Sequence, residues 1–376
     1  MYYFLFSAYL PNSAPTNRAL AMLRQVDQLG TNAIAVFLSP NKDKSKLEEK
    51  FRNVKIEYYW NNFYLNIPFI RIILYYINIF RFCLRLKKGD TVFCVYGLMD
   101  AIGLLVKRSD VRFFYEVTEN PELMLPLFKT NPSIDGLIKS FMKLTGLFVI
   151  SSTLKDYFIE KGIPEYKIHI INMTVDIKRF ENIKKNNYTE KYFAYCGTVS
   201  NNKDGVDDLL RAFSVVSKVH DDVKLYIIGK SITGNEATQN MELIKELGIC
   251  EKVVLTGVVT AERMPQLLKD AVGLVLDRPD NIQAKYGFPT KLGEYLMTAN
   301  PVVVTSVGDI PLFLKDGYSA LIAPPCNPEA FADKMIWLLE HSEECKLIGK
   351  RGHDVAMEHF NAQIETNKII SVITQI

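Results

Sequence analysis

Short, almost wholly apolar segments alternate with amphipathic ones along most of this 376-residue chain. Apolar segments of this kind are typical of parallel strands buried on both faces, and the amphipathic ones of the helices that cover them. In the first part of the chain we predict strands at 2–7, 32–38, 54–60, 90–96, 111–116, 147–151 and 168–172, with helices at 18–29, 99–107, 133–144 and 153–161. The alternation therefore predicts an α/β fold built on parallel sheets.

The alternation stops once, in the polar stretch 172–191, and then begins again. Beyond it we predict strands at 192–196, 223–229, 253–256, 272–276, 301–305 and 320–323, with helices at 205–219, 237–247, 261–269, 290–298, 328–341 and, with a break near Asn361, 345–376. This pattern predicts two Rossmann-like doubly wound domains facing across a cleft, with ligands at the carboxyl ends of the strands. We place the domains at 1–175 and 188–350, and expect the helical segment 351–376 to pack back toward the first domain.

Composition excludes several classes of protein. Hydrophobic residues make up 48% of the chain and charged residues 23%, as in a folded globular protein. The net charge of +3 gives no overall basic field, so we expect no nucleic-acid partner. The six cysteines and five histidines show no ligand spacing, which predicts a reduced, cytoplasmic protein without a metal. The apolar start at 2–6 lacks the basic region of a signal peptide, and a strand is the better prediction.

The segment 66–86 is apolar and aromatic, but three arginines interrupt it, namely Arg71, Arg81 and Arg85. A membrane span requires about 20 residues largely free of charge. The pattern therefore favours an amphipathic helix that covers a sheet. The alternative is a surface in contact with anionic lipid, with the arginines at the headgroups. In that case the aromatic residues at the interface would be Tyr75, Tyr76 and Phe80.

The stretch 287–296 begins with a Gly-Phe-Pro turn and continues into a helix that we expect Thr290 to cap. The N–H groups of Thr290, Lys291 and Leu292, together with the positive end of the helix dipole, can hold a phosphate. Glu294 follows on the same face, where its carboxylate can accept hydrogen bonds from both hydroxyls of a ribose. This geometry suits a nucleotide diphosphate. The alternative is an ordinary helix start with an exposed glutamate.

Other candidates follow other strands of the second domain. Gly197 and Thr198 come directly after its first strand, where a glycine lets backbone approach a phosphate closely. Lys203 follows shortly after as a mobile cation aimed back at that loop, and a solvated loop lysine is the alternative. Gly257 and Val258 end another strand and could flank a nucleobase.

In order and spacing, these segments resemble the retaining glycosyltransferases of family four, which have the GT-B fold. The strongest match is 289–296 followed by the apolar strand 301–303. The other matching segments are 195–198, 203–205, 209–213, 225–229, 254–257, 308–310 and 316–321. The segment 149–172 also resembles the end of the family's first domain, so the resemblance runs from Val149 onward.

The resemblance implies transfer of a sugar from a UDP- or GDP-linked donor to a hydroxyl of a glycan or lipid-linked glycan acceptor, with retention and without a further cofactor. It also implies surface polysaccharide or lipopolysaccharide assembly at the inner face of a membrane, a setting with which a lipid contact of segment 66–88 is compatible. Lys203 would bind the diphosphate and Glu294 the ribose, and we take these two as the catalytic residues. The remaining predicted donor-binding residues are Gly197, Thr198, Gly257, Val258, Tyr286, Gly287, Phe288, Pro289, Thr290, Lys291 and Leu292.

The sequence departs from the family pattern at several positions. Tyr286 replaces the first glutamate of the usual Glu-x7-Glu motif, and Thr198 stands near the place of an arginine that usually precedes the lysine. The first domain lacks the family's mid-domain histidine. Glu116 and Glu119 there are candidates to bind sugar hydroxyls or orient the acceptor, with a helix-start acid or loop pair as the alternative, and Asn12 is a similar candidate.

Two further hypotheses belong to other classes of protein. A non-catalytic protein that binds a nucleotide sugar or a glycan with the same fold is the second hypothesis, because the Tyr286 departure allows it. An NAD-dependent enzyme is disfavoured, since no Gly-x-Gly-x-x-Gly motif follows the first strand of either half.

Overall fold

The computed structural model describes residues 1–10, 13–40, 44–60, 67–128, 132–186, 190–230 and 235–375. It divides the chain into two compact units. Unit 1 comprises Met1–Asn172 with Ala362–Ile376, and unit 2 comprises Met173–Asn361. Each unit contains one sheet whose strands all run parallel, so the predicted α/β class is confirmed.

Unit 1 alternates strands and helices as the apolar pattern predicts. Its elements are β1 (Tyr2–Ala8), α1 (Ala14–Gln28), β2 (Ala33–Ser39), β3 (Val54–Tyr58), α2 (Pro68–Arg85), β4 (Thr91–Tyr96), α3 (Ile102–Leu105), β5 (Arg112–Val117), α4 (Pro121–Met124), α5 (Ile134–Phe141), β6 (Gly146–Val149), α6 (Ser152–Glu160) and β7 (Ile168–Ile170). Short 3-10 turns occupy Leu125–Leu127 and Glu165–Lys167. The strand order is β3-β2-β1-β4-β5-β6-β7, so the order reverses between β1 and β4, as in doubly wound sheets.

The helix predicted at 99–107 is much shorter in the structure. Only Ile102–Leu105 is helical, because the following residues turn back to start the next strand. That return is fixed by backbone bonds, from Gly89 N–H to the Asp110 carbonyl (2.8 Å) and from Arg112 N–H to the Asp90 carbonyl (2.9 Å). The apolar periodicity correctly predicted a helix in this segment, but it did not indicate where the chain turns.

Unit 2 repeats the same plan. Its elements are β8 (Lys191–Cys196), α7 (Asn201–Asp204), α8 (Val206–Val219), β9 (Val223–Ile228), α9 (Asn235–Glu246), β10 (Val253–Gly257), α10 (Arg263–Asp270), β11 (Gly273–Leu276), α11 (Ile282–Tyr286), α12 (Thr290–Met297), β12 (Val302–Thr305), α13 (Ile310–Phe313), β13 (Leu321–Ala323), α14 (Pro328–Glu340) and α15 (Ser342–His359). A 3-10 turn precedes them at Ile177–Arg179. The strand order β10-β9-β8-β11-β12-β13 again reverses beside its first strand.

The last helix, α16 (Ala362–Gln375), belongs to unit 1. Its buried Ile369 and Ile373 join the core cluster that includes Leu23 and Val26 of α1. The buried carboxylate of Glu365 accepts a hydrogen bond from the N–H of Asn172 at 2.9 Å. The segment 351–376 is therefore divided at Asn361, because α15 packs on α12 in unit 2 and only α16 packs in unit 1.

Candidate functional site

Three glycines join the carboxyl ends of β8, β9 and β10. The N–H of Gly197 donates to the Ile228 carbonyl (2.9 Å), and the N–H of Gly229 donates to the Gly257 carbonyl (3.0 Å). A Cβ atom at Gly229 would lie 2.9 Å from the carbonyl carbon of Gly197, so this backbone contact requires glycine. The strand order reverses beside β8, and a doubly wound sheet binds its ligand at that edge. Sequence reasoning did not select Gly229, although a glycine directly after a strand was the available signal.

The loop after Gly197 leads into a one-turn helix, α7. The exposed Thr198 offers its carbonyl to the hydroxyl of Tyr195 at 2.7 Å. Ser200 caps α7, with its Oγ accepting from the N–H of Lys203 at 3.3 Å. Lys203 therefore lies in this single turn with a partly exposed side chain. Gly205 closes the turn in the left-handed conformation, with φ +60°, which favours glycine.

The side chain of Lys291 enters this edge from α12. Its Nζ pairs with the carboxylate of Asp204 and lies 3.1 Å from the hydroxyl of Tyr195. It also lies 4.7 Å from the centre of the Tyr195 ring. Asp204 is buried, and its carboxylate lies 2.7 Å from the Tyr195 hydroxyl and 4.0 Å from Nε of Arg278. Sequence reasoning considered only the backbone of Lys291 and missed this cluster.

Electrostatics link these side chains to one another. Burial lowers the pKa of Lys291, and the charges of Lys203 and Arg278 lower it further, while Asp204 raises it. Lys203 and Arg278 are therefore close enough to Lys291 for their charges to act on it at the carboxyl end of β8. A group of basic side chains of this kind favours an anionic ligand.

The start of α12 differs in two respects from the prediction. Pro289, not Thr290, is the N-cap residue, and no side chain forms a capping hydrogen bond there. The N–H of Leu292 donates to the Pro289 carbonyl at 3.1 Å, so it is already used within the first turn. Proline fits this position because its fixed φ suits the turn before the helix. Of the three predicted phosphate donors, Thr290 is exposed and Lys291 brings its side chain to Asp204.

Glu294 lies one turn further along α12 and pairs with Arg179. The two side chains are only 23% and 19% exposed, so this ion pair is largely withdrawn from solvent. Burial raises the pKa of Glu294, and the nearby charges of Arg179 and Lys291 oppose that rise. Arg179 was not predicted, because it is distant in the sequence and lies in the polar stretch that was assigned as a linker.

The neighbouring Tyr295 anchors α12 to the end of β8. Its hydroxyl accepts a hydrogen bond from the N–H of Cys196 at 2.6 Å. The ring is fully buried, and burial raises the pKa of its hydroxyl. Tyr295 therefore fixes the side on which Lys291 and Glu294 leave the helix.

Asp277 lies at the carboxyl end of β11, on the other side of the same switch point. Its side chain is buried, and its Oδ2 has no hydrogen-bond partner. Burial raises the pKa of this carboxyl to about 8, and the charges of Asp208 and Asp207 add to the rise. The backbone carbonyl of Asp277 lies directly against Gly205. A side chain at position 205 would therefore push this carbonyl away.

The remaining predicted donor residues lie before and beside this site. Phe288 is buried, with its ring 5.5 Å from that of Phe313 and 5.2 Å from that of Phe360, so it anchors the turn between Gly287 and Pro289. Tyr286 ends α11 and is partly exposed. Val258, next to Gly257, is 76% exposed. A nucleobase role for Val258 stays a prediction.

The candidates in unit 1 differ in their surroundings. Glu116 is buried, and its Oε1 lies 2.6 Å from Nη2 of Arg18 on α1. Burial raises its pKa and Arg18 opposes this, so Glu116 helps to hold α1 against the sheet. Glu119 is partly exposed just before α4, whose cap is Asn120. Asn12 lies outside the described residues.

One face of α2 consists of exposed apolar side chains. They recur every three or four residues, which places them on a single stripe: Phe69, Ile73, Ile77, Phe80 and Leu84. Phe69 is 73% exposed, Phe80 63% and Leu84 68%. Exposed basic residues accompany the stripe, namely Arg71, Arg81, Lys87 and Lys88. None of the helices in the described part of the chain has the length and apolarity that a membrane crossing requires.

Two of the aromatic residues predicted for a lipid interface face the protein instead. The hydroxyls of Tyr75 and Tyr76 lie 3.5 Å and 3.2 Å from the carboxylate of Asp100. Arg85 likewise pairs with Glu57 and is thereby held against β3. Of the three predicted aromatics, only Phe80 is on the exposed face.

Comparisons with known proteins agree with this architecture. Residues 190–341 match the family model described as glycosyl transferases group 1. Among curated proteins, the N-acetyl-alpha-D-glucosaminyl L-malate synthase of Bacillus anthracis is 27% identical over 167 residues, which are 44% of this chain and 40% of that one. The matched parts span between about a third and a half of the curated relatives' lengths.

Solved structures of similar fold cover the whole chain. The Anabaena protein HepE in complex with UDP superposes with a TM-score of 0.77 at 15% identity, covering 100% of both chains. The apo form of the lipopolysaccharide outer core galactosyltransferase WaaB gives 0.68 at 18% identity, covering 100% of this chain and 99% of that one. At these identities the likeness shows the fold alone. The chain has the two-domain, Rossmann-like GT-B fold.

Proposed function

We propose that this chain is a glycosyltransferase of group 1, which moves a sugar from a nucleotide diphosphate to a hydroxyl group of an acceptor. One observation carries the proposal. The unit that matches the group 1 family places Lys291 and Glu294, on one face of one helix, at the switch point of a doubly wound sheet. The basic side chains around Lys291, among them Lys203, suit the diphosphate, and the carboxylate suits the ribose.

The donor binds along the carboxyl ends of β8 and β10 in this proposal. The diphosphate lies near Gly197 and Thr198, between Lys203 and the first turn of α12. Glu294 accepts hydrogen bonds from the ribose, and the base lies beside Gly257. The basic residues around Asp204 support the diphosphate position. The donor is UDP- or GDP-linked, and the UDP complex of HepE, a protein of the same fold, favours testing UDP first.

The proposed chemistry needs no acid–base dyad from the protein. A hydroxyl oxygen of the acceptor forms a bond to the anomeric carbon as the bond from that carbon to the diphosphate oxygen breaks. The acceptor's proton passes to the leaving phosphate oxygen on the same face, and the anomeric configuration is retained. Catalysis then rests on positioning and on stabilising the charge that develops on the leaving diphosphate.

Lysine side chains, not a metal ion or other cofactor, neutralise that charge in this proposal. Lys203 meets the diphosphate directly from α7, where its side chain is partly exposed. Lys291 stays paired with Asp204 and adds positive charge near the diphosphate without contacting it. A charge-assisted contact from Lys203 would contribute roughly 1.5–3 kcal/mol.

The acceptor is a glycan or a lipid-linked glycan, and we propose a role in surface polysaccharide or lipopolysaccharide assembly. The exposed apolar stripe of α2 supports a peripheral position at a membrane surface. Such a stripe with basic residues beside it can lie in the headgroup region of anionic lipid. WaaB, which has the same fold, is a lipopolysaccharide outer core galactosyltransferase, and this makes lipid-linked glycans the first acceptors to test.

The decisive experiment combines transfer with nucleotide release. Purified protein is incubated with labelled UDP- and GDP-sugars, with and without lipid-linked glycan acceptors, and NMR follows the anomeric configuration of the product. We expect transfer with retention, and a loss of well over tenfold for Lys203→Ala and for Glu294→Ala in variants that melting curves show to be folded. Lys191→Ala, at the opposite end of β8, and Glu251→Ala are the matched controls, since both side chains are exposed.

Two outcomes would contradict the proposal in different ways. Binding of a nucleotide sugar without release of nucleotide under any acceptor would make the chain a non-catalytic binding protein. Transfer at the wild-type rate by Lys203→Ala and Glu294→Ala would show that the catalytic site lies elsewhere.

A further inference from the structure

Arg179 reaches Glu294 from a part of unit 2 that precedes its sheet. Its Nη1 pairs with Oε1 of Glu294, and its guanidinium lies 5.9 Å from the ring centre of Phe180. Asp176 caps the short 3-10 turn that carries it, with Oδ1 accepting from the N–H of Lys178 at 3.2 Å. The ion pair therefore joins two segments that lie 115 residues apart in the sequence.

The segment that carries Arg179 is fixed on α12 by a close contact. A Cβ atom at Gly293 would lie 2.5 Å from Cε of Met173 and 2.5 Å from Cγ2 of Val175, so this approach depends on glycine. The N–H of Val175 also donates to the Phe360 carbonyl at 2.7 Å. The backbone that leads to Arg179 is therefore held on both sides, and Arg179 is presented to Glu294 by packing.

The ion pair with Arg179 affects the protonation state of Glu294. Burial raises the pKa of this carboxyl, and Arg179 is the largest opposing influence. Lys291, on the same helix, also opposes the rise, while Cys196 and Tyr295 are the other titratable groups that feel the Glu294 charge. Glu262 lies within the field of Arg179. An ionised carboxylate only accepts hydrogen bonds, so with Oε1 on Arg179 the other oxygen keeps its lone pairs for the ribose hydroxyls.

We propose that Arg179 is a positioning residue for the nucleotide: it holds Glu294 in its ionised form and orients it through Oε1, so that Oε2 meets the ribose. This inference rests on the proposed function, since it assigns a partner to the carboxylate that binds the ribose there. It adds a residue from outside the family-matched segment 190–341 to the donor site. Arg179 acts through Glu294 and need not touch the substrate.

The test measures UDP binding as a function of pH, with GDP in parallel. Arg179→Met removes the charge but keeps length, Arg179→Lys keeps the charge, and Lys178→Ala removes the exposed neighbouring cation as the matched control. We expect the Arg179→Met dissociation constant to rise more steeply toward acid pH than that of Lys178→Ala, by about tenfold over the range in which the protein stays folded. Arg179→Lys should restore most of the control profile. The ligand's own titration is common to all variants and cancels.

The sign follows from the ionised form being the one that binds. Without Arg179 the pKa of Glu294 rises further, so the carboxyl takes up a proton at a higher pH and binding weakens on the acid side. Glu294→Gln in the Arg179→Met background should remove the added pH dependence, because no carboxyl is left to titrate. A merely structural role for Arg179 would lower the melting temperature and leave the shape of the profile unchanged.

Failure of this inference is distinguishable from failure of the proposed function. If Glu294→Gln weakens UDP binding while Arg179→Met matches Lys178→Ala at every pH, the ribose contact stands and the Arg179 role is overturned. If Glu294→Gln binds UDP like the wild type, the proposed ribose contact itself is wrong. Melting curves establish folding, and Arg179→Gln replaces Arg179→Met if the latter does not fold.

Discussion

The ammonium group of Lys291 and the carboxylate of Asp204 form an ion pair at the carboxyl end of β8, where the two side chains are only 13% and 2% exposed. A buried pair of this kind joins α12 to α7, and thereby joins the two segments that we assign to the diphosphate. Removing one partner from such a pair leaves the other charge without its main compensation.

Lys291→Met is therefore expected to destabilise unit 2. We expect a loss of about 2–4 kcal/mol in the free energy of unfolding, toward the low end of the usual range because Tyr195 and Arg278 still face Asp204. Urea denaturation measures it. The double variant Lys291→Met with Asp204→Asn should recover part of the loss, and additive losses would mean that the pair is not coupled.

Asp277 gives a pH dependence of stability with a definite sign. Its folded-state pKa is raised to about 8, above the unfolded value of about 3.9, so the folded protein holds a proton that the unfolded chain releases. Stability should therefore fall as pH rises from about 4 to 8, with a slope of up to about 1.4 kcal/mol per pH unit. Asp277→Asn removes this slope, and urea midpoints at pH 5 and pH 8 measure it. An equal effect of Asp277→Asn at both pH values would show that this carboxyl titrates normally.

Gly229→Ala tests the contact between the strand ends. The added methyl group meets the backbone of Gly197, so we expect a loss of about 1–3 kcal/mol beyond the strain of the positive φ alone, together with weaker UDP binding. Gly248→Ala is the matched control, because Gly248 also has a positive φ (+69°) and no atom within 4 Å of its Cβ position. Calorimetric melting and UDP titration measure both effects. Equal behaviour of the two variants would remove the case for a close approach here.

The apolar stripe on α2 predicts binding to anionic vesicles. Phe69→Ser with Phe80→Ser should weaken cosedimentation with phosphatidylglycerol vesicles at least tenfold, since burying each ring contributes roughly 1.5–3 kcal/mol. Leu312→Ser is the control, because Leu312 is an equally exposed apolar residue in unit 2. Wild-type binding that does not exceed that to neutral vesicles, or that survives the double change, would argue against a lipid surface.

Much of the fold could be predicted because its strands and helices follow local apolar patterns in the sequence. The strands of both sheets follow segments such as Val302–Thr305, whose four residues are all buried. The short helix at Ile102–Leu105 could not be predicted, because the turn that ends it depends on backbone bonds to distant residues. The predicted cap of α12 was also wrong. The sequence favoured Thr290, but Pro289 is the N-cap residue and no side chain forms a capping hydrogen bond.

In the candidate site, too, residues in local sequence patterns could be predicted and their tertiary partners could not. Gly197, Lys291 and Glu294 could be selected from sequence, since each follows a strand or begins a helix in a recognisable pattern. Their partners could not. Asp204 and Arg179 meet them only through tertiary packing. Asp204 lies in a segment that resembles the family, but its contact with Lys291 leaves no local signal, and the stretch around Arg179 has the pattern of an ordinary polar loop.

The membership of α16 in unit 1 has a consequence for biogenesis. Translation runs from the amino terminus, so every residue of unit 2 is synthesised before Ile369 and Ile373, which complete the core around Leu23 and Val26. We expect unit 2 to become protease-resistant on the ribosome while unit 1 is still open. Pulse proteolysis of nascent chains arrested before and after Ala362 would reveal this order, and resistance of unit 1 in the shorter chains would rule it out.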